Sequence, residues 1–267
     1  MRHRVMTSAA RVAFLASTTG LGALASGTLL HAGPGWGVLS AAAFGWSALA
    51  TSGVLVPRLQ MFGEIVCRGP EGQRQVALTF DDGPDPRTTP RVLEMLADTR
   101  HRATFFVLGN KVRERPEVVR QIRDAGHSLG IHGDTHDRLH SFRPPSRVRD
   151  EIRRAQSAVE LATGLRPSLF RPPIGHTSPN TLRGARAAGV RVIGWSARGY
   201  DGLRGQRPEA VVARVSRSLD DGAIVLLHDA AEHDDFEPAS LAALPALLAL
   251  LDERALTSVR LEPWLGA

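Results

Sequence analysis

Cysteine, lysine and tyrosine are nearly missing from this chain: its 267 residues hold one of each. The single cysteine, Cys67, excludes an internal disulfide and any Cys-rich zinc or iron–sulfur site, and leaves the redox compartment open. With Lys111 the only lysine, the basic side chains are almost all arginine. Gly and Pro, at 26 and 17, are too few for a collagenous or low-complexity chain. Aromatics make up only 5%. From Val12 to Val56 there is no Asp, Glu, Lys or Arg.

A bilayer crossing needs roughly 20 apolar residues in a helix, and the uncharged stretch has room for two. A turn-like cluster, His31-Ala32-Gly33-Pro34-Gly35, divides it into spans at Val12–Leu30 and Trp36–Val56. Small residues at Gly20, Gly22, Ala23, Ser26 and Gly27 suit close helix packing. The competing reading is a signal peptide, with Arg2, Arg4 and Arg11 as its basic region and a flexible linker after it. The hairpin is preferred because the apolar run continues past any cleavage site. The net charge of +6 divides unevenly. Residues 1–68 carry Arg2, Arg4, Arg11, Arg58 and Arg68 against Glu64, and residues 69–267 keep only +2. The excess therefore flanks the hairpin, and a basic nucleic-acid surface is not expected. These patterns predict a membrane anchor over 1–65 and a catalytic domain over 66–267, located at the cell membrane, on a side the sequence does not fix.

Past about residue 70, strand and helix signals alternate. Strands are expected at Val76–Phe80, Ala103–Leu108, Ser128–Ile131, Leu169-Phe170, Val190–Trp195, Ala223–Leu227 and Ser258–Leu261. Helices are expected from Thr89-Pro90, from Pro116 to near Gly126, over Pro145–Ala162 before Gly164, over Thr181–Ala188 before Gly189, over Pro208–Leu219 and over Pro238–Leu251. Such alternation predicts an α/β fold on a parallel sheet, either barrel or doubly wound. The chemically loaded residues each follow a different strand, which favours a (β/α) barrel over an open sheet with one switch point.

Five clusters carry chemistry. Thr79-Phe80-Asp81-Asp82-Gly83-Pro84 sets adjacent carboxylates at a strand end, where their repulsion suits a bound cation. His132-Gly133-Asp134-Thr135-His136 offers two imidazoles and a carboxylate, a plausible Zn²⁺ set. Arg171-Pro172-Pro173-Ile174-Gly175 is a rigid turn bearing a guanidinium. Trp195 to Asp201 follows a strand, and Leu226-Leu227-His228-Asp229 ends a very apolar one. Each alone has a bland reading as a turn, an incidental His pair, a surface Arg or a core histidine.

Together and in this order, the five resemble the NodB-homology polysaccharide deacetylases, carbohydrate esterase family 4, over about residues 70–260. The resemblance implies a distorted (β/α) TIM-like barrel preceded by the hydrophobic hairpin. It implies Asp81 as catalytic base, with Asp82, His132 and His136 as the ligands of a divalent metal, most often Zn²⁺. It further implies Arg171 as the arginine orienting the base, Asp201 as the aspartate positioning that arginine, Leu226 in the acyl-methyl pocket and His228 as general acid. The backbone N–H of Ile174 is the expected oxyanion donor. The implied reaction removes an N-acetyl or related acyl group from an amino sugar, in a polysaccharide or a lipid-linked saccharide. O-deacetylation and deformylation lie within the same class. Three positions depart from the family pattern: Gly133 for Ser or Thr, Ile174 for Tyr and Gly202 for Trp. They reduce the aromatic definition of the cleft and leave a second reading, a pseudo-deacetylase that binds glycan or a partner protein. His127 is read as structural, His140 and His176 as possible substrate contacts, and His233 as a solvated loop residue. Arg147, Arg149, Arg153 and Arg154 form a helix face read as solvated or facing lipid headgroups.

Overall fold

The structure is a computed structural model and describes residues 8–30, 35–232 and 236–266. Arg2, Arg4, the turn residues His31 to Pro34 and His233 lie outside the described residues. Two helices come first, α1 (Ala9–Leu29) and α2 (Trp36–Leu55). Eight strands and eight helices follow: β1 (Gln75–Asp81), α3 (Thr89–Ala97), β2 (Ala103–Val107), α4 (Gly109–Glu114), α5 (Pro116–Asp124), β3 (Ser128–Ile131), α6 (Pro145–Thr163), β4 (Leu169–Phe170), α7 (Pro179–Ala188), β5 (Arg191–Val192), β6 (Ala197–Arg198), α8 (Pro208–Ser216), β7 (Ile224–His228), α9 (Ser240–Glu253), β8 (Thr257–Ser258) and α10 (Glu262–Leu265).

Local chemistry explains the boundaries. Proline, whose fixed φ suits the first helical turn, opens α5, α6, α7 and α8. Gly164 and Gly189 close α6 and α7 at φ +75° each, a left-handed conformation that suits glycine. At the start of α7, Ser178 and Thr181 form a reciprocal capping box. The expected strand over Val190–Trp195 is shorter, Arg191–Val192, because Ile193 and Gly194 go on to pair with the Val66 segment as an isolated bridge; β6 follows at Ala197–Arg198. The last expected strand, Ser258–Leu261, is only the Thr257–Ser258 pair, followed by the short α10. Helix α4, which opens on a glycine with no capping side chain, was not foreseen.

All strand pairings are parallel, in the order β5-β4-β3-β2-β1-β7-β6, with β8 also on β1. The sheet curls into a distorted barrel, as expected. Its path ends at β5 and β6, and the segment around Val66 covers that gap. Val66 bridges Ile193 in parallel and Arg68 bridges Ala223 in antiparallel. The Val66 N–H donates to the Val192 carbonyl at 3.0 Å, and its own carbonyl accepts from Gly194 at 2.8 Å.

Side chains alternate in and out along each strand. On β1, Val76, Leu78 and Phe80 join the apolar core between sheet and helices. Ala77 joins a second cluster inside the barrel, with Phe106, Leu169, Ile193, Ile224 and Leu261. The same period carries Thr79 and Asp81 inward, so the strand delivers its carboxylate to the C-terminal mouth.

The hairpin is built the other way round. Thr28 is the only described buried residue of α1, and Gly53 that of α2. Trp46 Nε1 donates to Thr18 Oγ1 at 2.9 Å, and the Phe14 ring packs on Trp46 and Phe62 at 5.6 and 5.2 Å. Both helices are long and apolar enough to cross a membrane. Their open end meets the barrel, where the Thr177 N–H donates to the Val54 carbonyl at 3.1 Å.

Candidate active site

Strand ends supply the site. Asp81 ends β1 pointing inward, and the next residue of a regular strand would point away. Asp82 instead adopts φ +73°, which turns its carboxylate back into the mouth. Gly83 is required beside it, since a Cβ there would lie 2.3 Å from an Asp229 carboxylate oxygen.

Asp82, His132 and His136 converge, each offering one ligand atom within 4.8 Å of the others. Asp82 Oδ1 lies 3.4 Å from His132 Nε2 and 3.5 Å from His136 Nε2. That oxygen is buried and has no hydrogen-bond partner among the described residues. Both rings are oriented from behind. His132 Nδ1 donates to the Arg171 carbonyl at 2.8 Å, and His136 Nδ1 donates to Glu232 Oε1 at 3.0 Å. These contacts leave each Nε2 as a lone pair facing Asp82, the arrangement that metal-binding histidines use. Burial, with His136 and Arg171 nearby, holds His132 well below the usual imidazole range and therefore neutral. The donor set fits a divalent cation. The carboxylate is Asp82 and not Asp134 of the His-rich cluster. Asp134 turns away and is held by Arg113 at 2.8 Å and Arg154 at 3.2 Å. Arg154, half exposed as expected for a solvated helix face, thereby also anchors Asp134.

Beside the triad, Arg171 is fully buried. It donates to Asp81 Oδ1 at 2.8 Å, to Thr79 Oγ1 at 2.7 Å and to the Gly194 carbonyl at 3.0 Å, and it lies 4.3 Å over the Phe106 ring. Burial pushes Asp81 up to about 6, against the pull of Arg171 and His228. On the neighbouring strand, His228 is the register partner of Asp81. Asp201 does not contact Arg171 as the resemblance implied. It is buried against β7, where Oδ2 accepts from the His228 backbone N–H at 2.7 Å and lies 3.2 Å from Nδ1. The aspartate therefore serves the histidine. Burial alone would lower the His228 pKa. Asp201, with Asp82 and Asp81 adding to it, raises the value to about 10.

The cleft above these groups has a volume of about 190 Å³. Leu226 and Ile174 line it, with Trp195, Tyr200, Leu203 and Glu232. Trp195 and Tyr200 supply an aromatic wall that the departures at 174 and 202 suggested was missing. Gly202 has a local reason: a Cβ there would lie 2.8 Å from the His228 ring. Ile174 holds φ +51°, a conformation costly for a β-branched residue and set within the Pro172–Gly175 turn. His127 accepts from the Ala103 N–H inside the core, as a structural histidine does. His140 is buried, and neither it nor His176 lines the cleft.

Three supporting residues escaped the sequence reading. Glu232 bonds His136 and is itself held by Arg138 Nε at 2.9 Å. Asp229, fully buried and pushed by burial up to about 7, accepts from Thr89 Oγ1. Lys111 Nζ ties the Asp82 and Ala231 carbonyls together at 2.9 and 3.0 Å. Being the sole lysine was the one signal that singled it out. Asp229 stands beside His228 in the fifth cluster but had no role of its own there, and Glu232 sits among ordinary acidic residues.

A parallel barrel with an Asp-His-His cluster and a carboxylate–arginine pair at its mouth defines a class of hydrolase. The family model of polysaccharide deacetylase matches residues 68–193. A chitooligosaccharide deacetylase from a Bradyrhizobium species is 39% identical over 159 residues, which is 59% of this chain and 72% of the relative. A solved peptidoglycan N-acetylglucosamine deacetylase, Bc1960, superposes with TM-score 0.69 at 28% identity, covering 75% of this chain and 92% of that one. A carbohydrate esterase family 4 pseudoenzyme from Bacillus anthracis, BA3943, superposes with TM-score 0.69 at 26% identity, covering 78% and 71%. The chain belongs to the polysaccharide deacetylase family, carbohydrate esterase family 4.

Proposed function

We propose that the protein hydrolyses the N-acetyl group of an amino sugar, within a saccharide such as the relatives' chitooligosaccharide or peptidoglycan, and depends on a divalent metal. The observation that carries this is the unpartnered, buried Asp82 Oδ1 between two Nε2 lone pairs, beside Asp81 and His228 on adjacent strands. Asp82, His132 and His136 would hold the cation, with Zn²⁺ favoured by the donor set. When bound, it supplies Lewis acidity toward the amide carbonyl and lowers the pKa of water.

The remaining chemistry belongs to the side chains. Asp81 takes the proton of the attacking water, and Arg171 keeps that carboxylate aimed. The Ile174 N–H donates to the developing oxyanion. Leu226 packs against the acyl methyl. His228, kept protonated by Asp201, gives its proton to the departing amine as the C–N bond breaks. Residues 1–65 act as a membrane anchor and 66–267 as the catalytic domain, so the activity is held at the cell membrane.

The test is acetate release from N-acetylglucosamine oligomers by the full chain in detergent with added Zn²⁺. His228→Asn should lower the rate by about 10²- to 10⁴-fold while leaving metal content unchanged. Full activity in Asp82→Ala or His132→Ala would overturn the metal assignment. The pseudoenzyme reading gains some support from the Bacillus anthracis relative. Every acid, base and ligand position is filled here, and absence of acetate release at stoichiometric metal would decide for it.

A further inference from the structure

Next to the catalytic cleft lies a second groove, of about 460 Å³, lined at one side by the base of the hairpin. Trp195, Arg198 and Tyr200 line both cavities. The far wall is Leu55 to Arg58, where α2 ends, and the floor includes Arg214 and Arg217 at the C-terminal end of α8. Four guanidiniums and no carboxylate line this groove. The two arginines held closest to the catalytic carboxylates and histidines are by contrast paired, Arg138 with Glu232 and Arg171 with Asp81. Arg198 stacks over Tyr200 at 3.8 Å and faces Trp195 at 5.5 Å, which fixes a cation at the boundary of the two cavities. Arg214 is steadied by the Gly199 carbonyl at 2.9 Å and Gln206 at 2.7 Å. Arg58, Arg198 and Arg217 pair with no carboxylate among the described residues.

Clustered arginines without acidic partners make a phosphate site, since the guanidinium fork matches phosphate oxygens. The groove's place decides which phosphate. One end shares the Trp195, Arg198 and Tyr200 wall with the deacetylation cleft. The other meets Leu55 and Val56, both exposed and apolar, at the end of a helix long enough to span a bilayer. We propose that this groove binds the phosphate or diphosphate of a lipid-linked amino sugar, with the sugar in the cleft and the lipid running beside the hairpin. The proposal rests on the deacetylase reading and narrows its substrate to a membrane-borne saccharide phosphate.

The experiment uses the full chain in nonionic micelles with three probes. These are a lipid diphosphate-linked N-acetylglucosamine, the phosphate-free N-acetylglucosamine oligomer and a nucleoside diphosphate-linked N-acetylglucosamine. Binding is measured by titration alongside acetate release. The lipid-linked probe should bind about tenfold more tightly than the oligomer. Arg58→Gln with Arg217→Gln should remove that advantage, raising KM for the lipid-linked probe and leaving turnover of the oligomer unchanged. Equal binding of lipid-linked probe and oligomer, or a preference for the nucleoside-linked one, overturns the proposal. Vesicles with 30% anionic phospholipid form the last arm. If the two substitutions weaken vesicle binding but not binding of the lipid-linked probe, the arginines hold membrane headgroups and the proposal is wrong. Absence of acetate release from every probe would instead count against the deacetylase reading, while the titration still decides the groove.

Discussion

The barrel and the hairpin treat charge in opposite ways. Inside the barrel mouth, Arg171, Asp81 and Asp201 are almost fully buried, and each is tied to a named partner. Along α1 and α2 no charged side chain lies between Val12 and Val56, and the apolar surface points outward. A buried ion is tolerated only when its hydrogen bonds are nearly complete. An apolar helix is tolerated at a surface only when something other than water covers it. The same chain therefore has two interiors, one polar and enclosed by protein, the other apolar and suited to lipid.

The largest effect should come from breaking the polar interior. Arg171→Met leaves Asp81 buried without its partner. Unfolding free energy should fall by about 3–5 kcal/mol, with loss of activity, read by chemical denaturation and acetate release. Next is Asp201→Asn, expected to cost on the order of 10²-fold in kcat. The native His228 pKa, about 10, lies above the ordinary imidazole value. Its stabilising contribution is therefore complete below about pH 6.5 and is lost as pH rises through about 10. The asparagine removes that support, so the alkaline limb of the activity profile should move to lower pH. Glu232→Gln weakens the acceptor behind His136 and should reduce metal affinity about tenfold, read by titration with a chelator, with the fold intact. The smallest effect on chemistry should come from the other interior. Phe44 is 79% exposed on α2. Phe44→Arg should oppose membrane insertion by roughly 2.5–3.5 kcal/mol and leave hydrolysis of soluble oligomers unchanged, checked by flotation with liposomes.

Most of the barrel was legible because its signals are local. Proline at helix starts, glycine at helix ends and the apolar run of β7 each act within a few residues. The strand-end positions of Asp81, Asp82, His132, Arg171 and His228 followed from the same patterns. What stayed hidden depends on contacts between distant segments. Asp201 bonds His228 and not Arg171 as the resemblance implied, and sequence order does not show that the loop after β6 lies beside β7. Asp134 sits between two candidate ligands, and only the fold shows that Arg113 and Arg154 draw it away. Glu232 lies 96 residues from the histidine it orients. Helix α4 opens on Gly109, and a Cβ there would lie 2.3 Å from Asp134, so close packing and not helix propensity placed it.

The segment that fills the barrel gap at Val66 also limits where the cleft can go. Because Val66 and Arg68 are bonded into the barrel wall, the tether from the end of α2 is only the short stretch before them. Fully stretched, it would span about 35 Å, and the Thr177–Val54 bond keeps it shorter. Were the hairpin seated in a bilayer, as proposed, the enzyme would work within a thin shell next to the membrane. On the proposed anchoring it would then select substrate by distance as well as by chemistry, and saccharide that has already moved away from the surface would be beyond its reach.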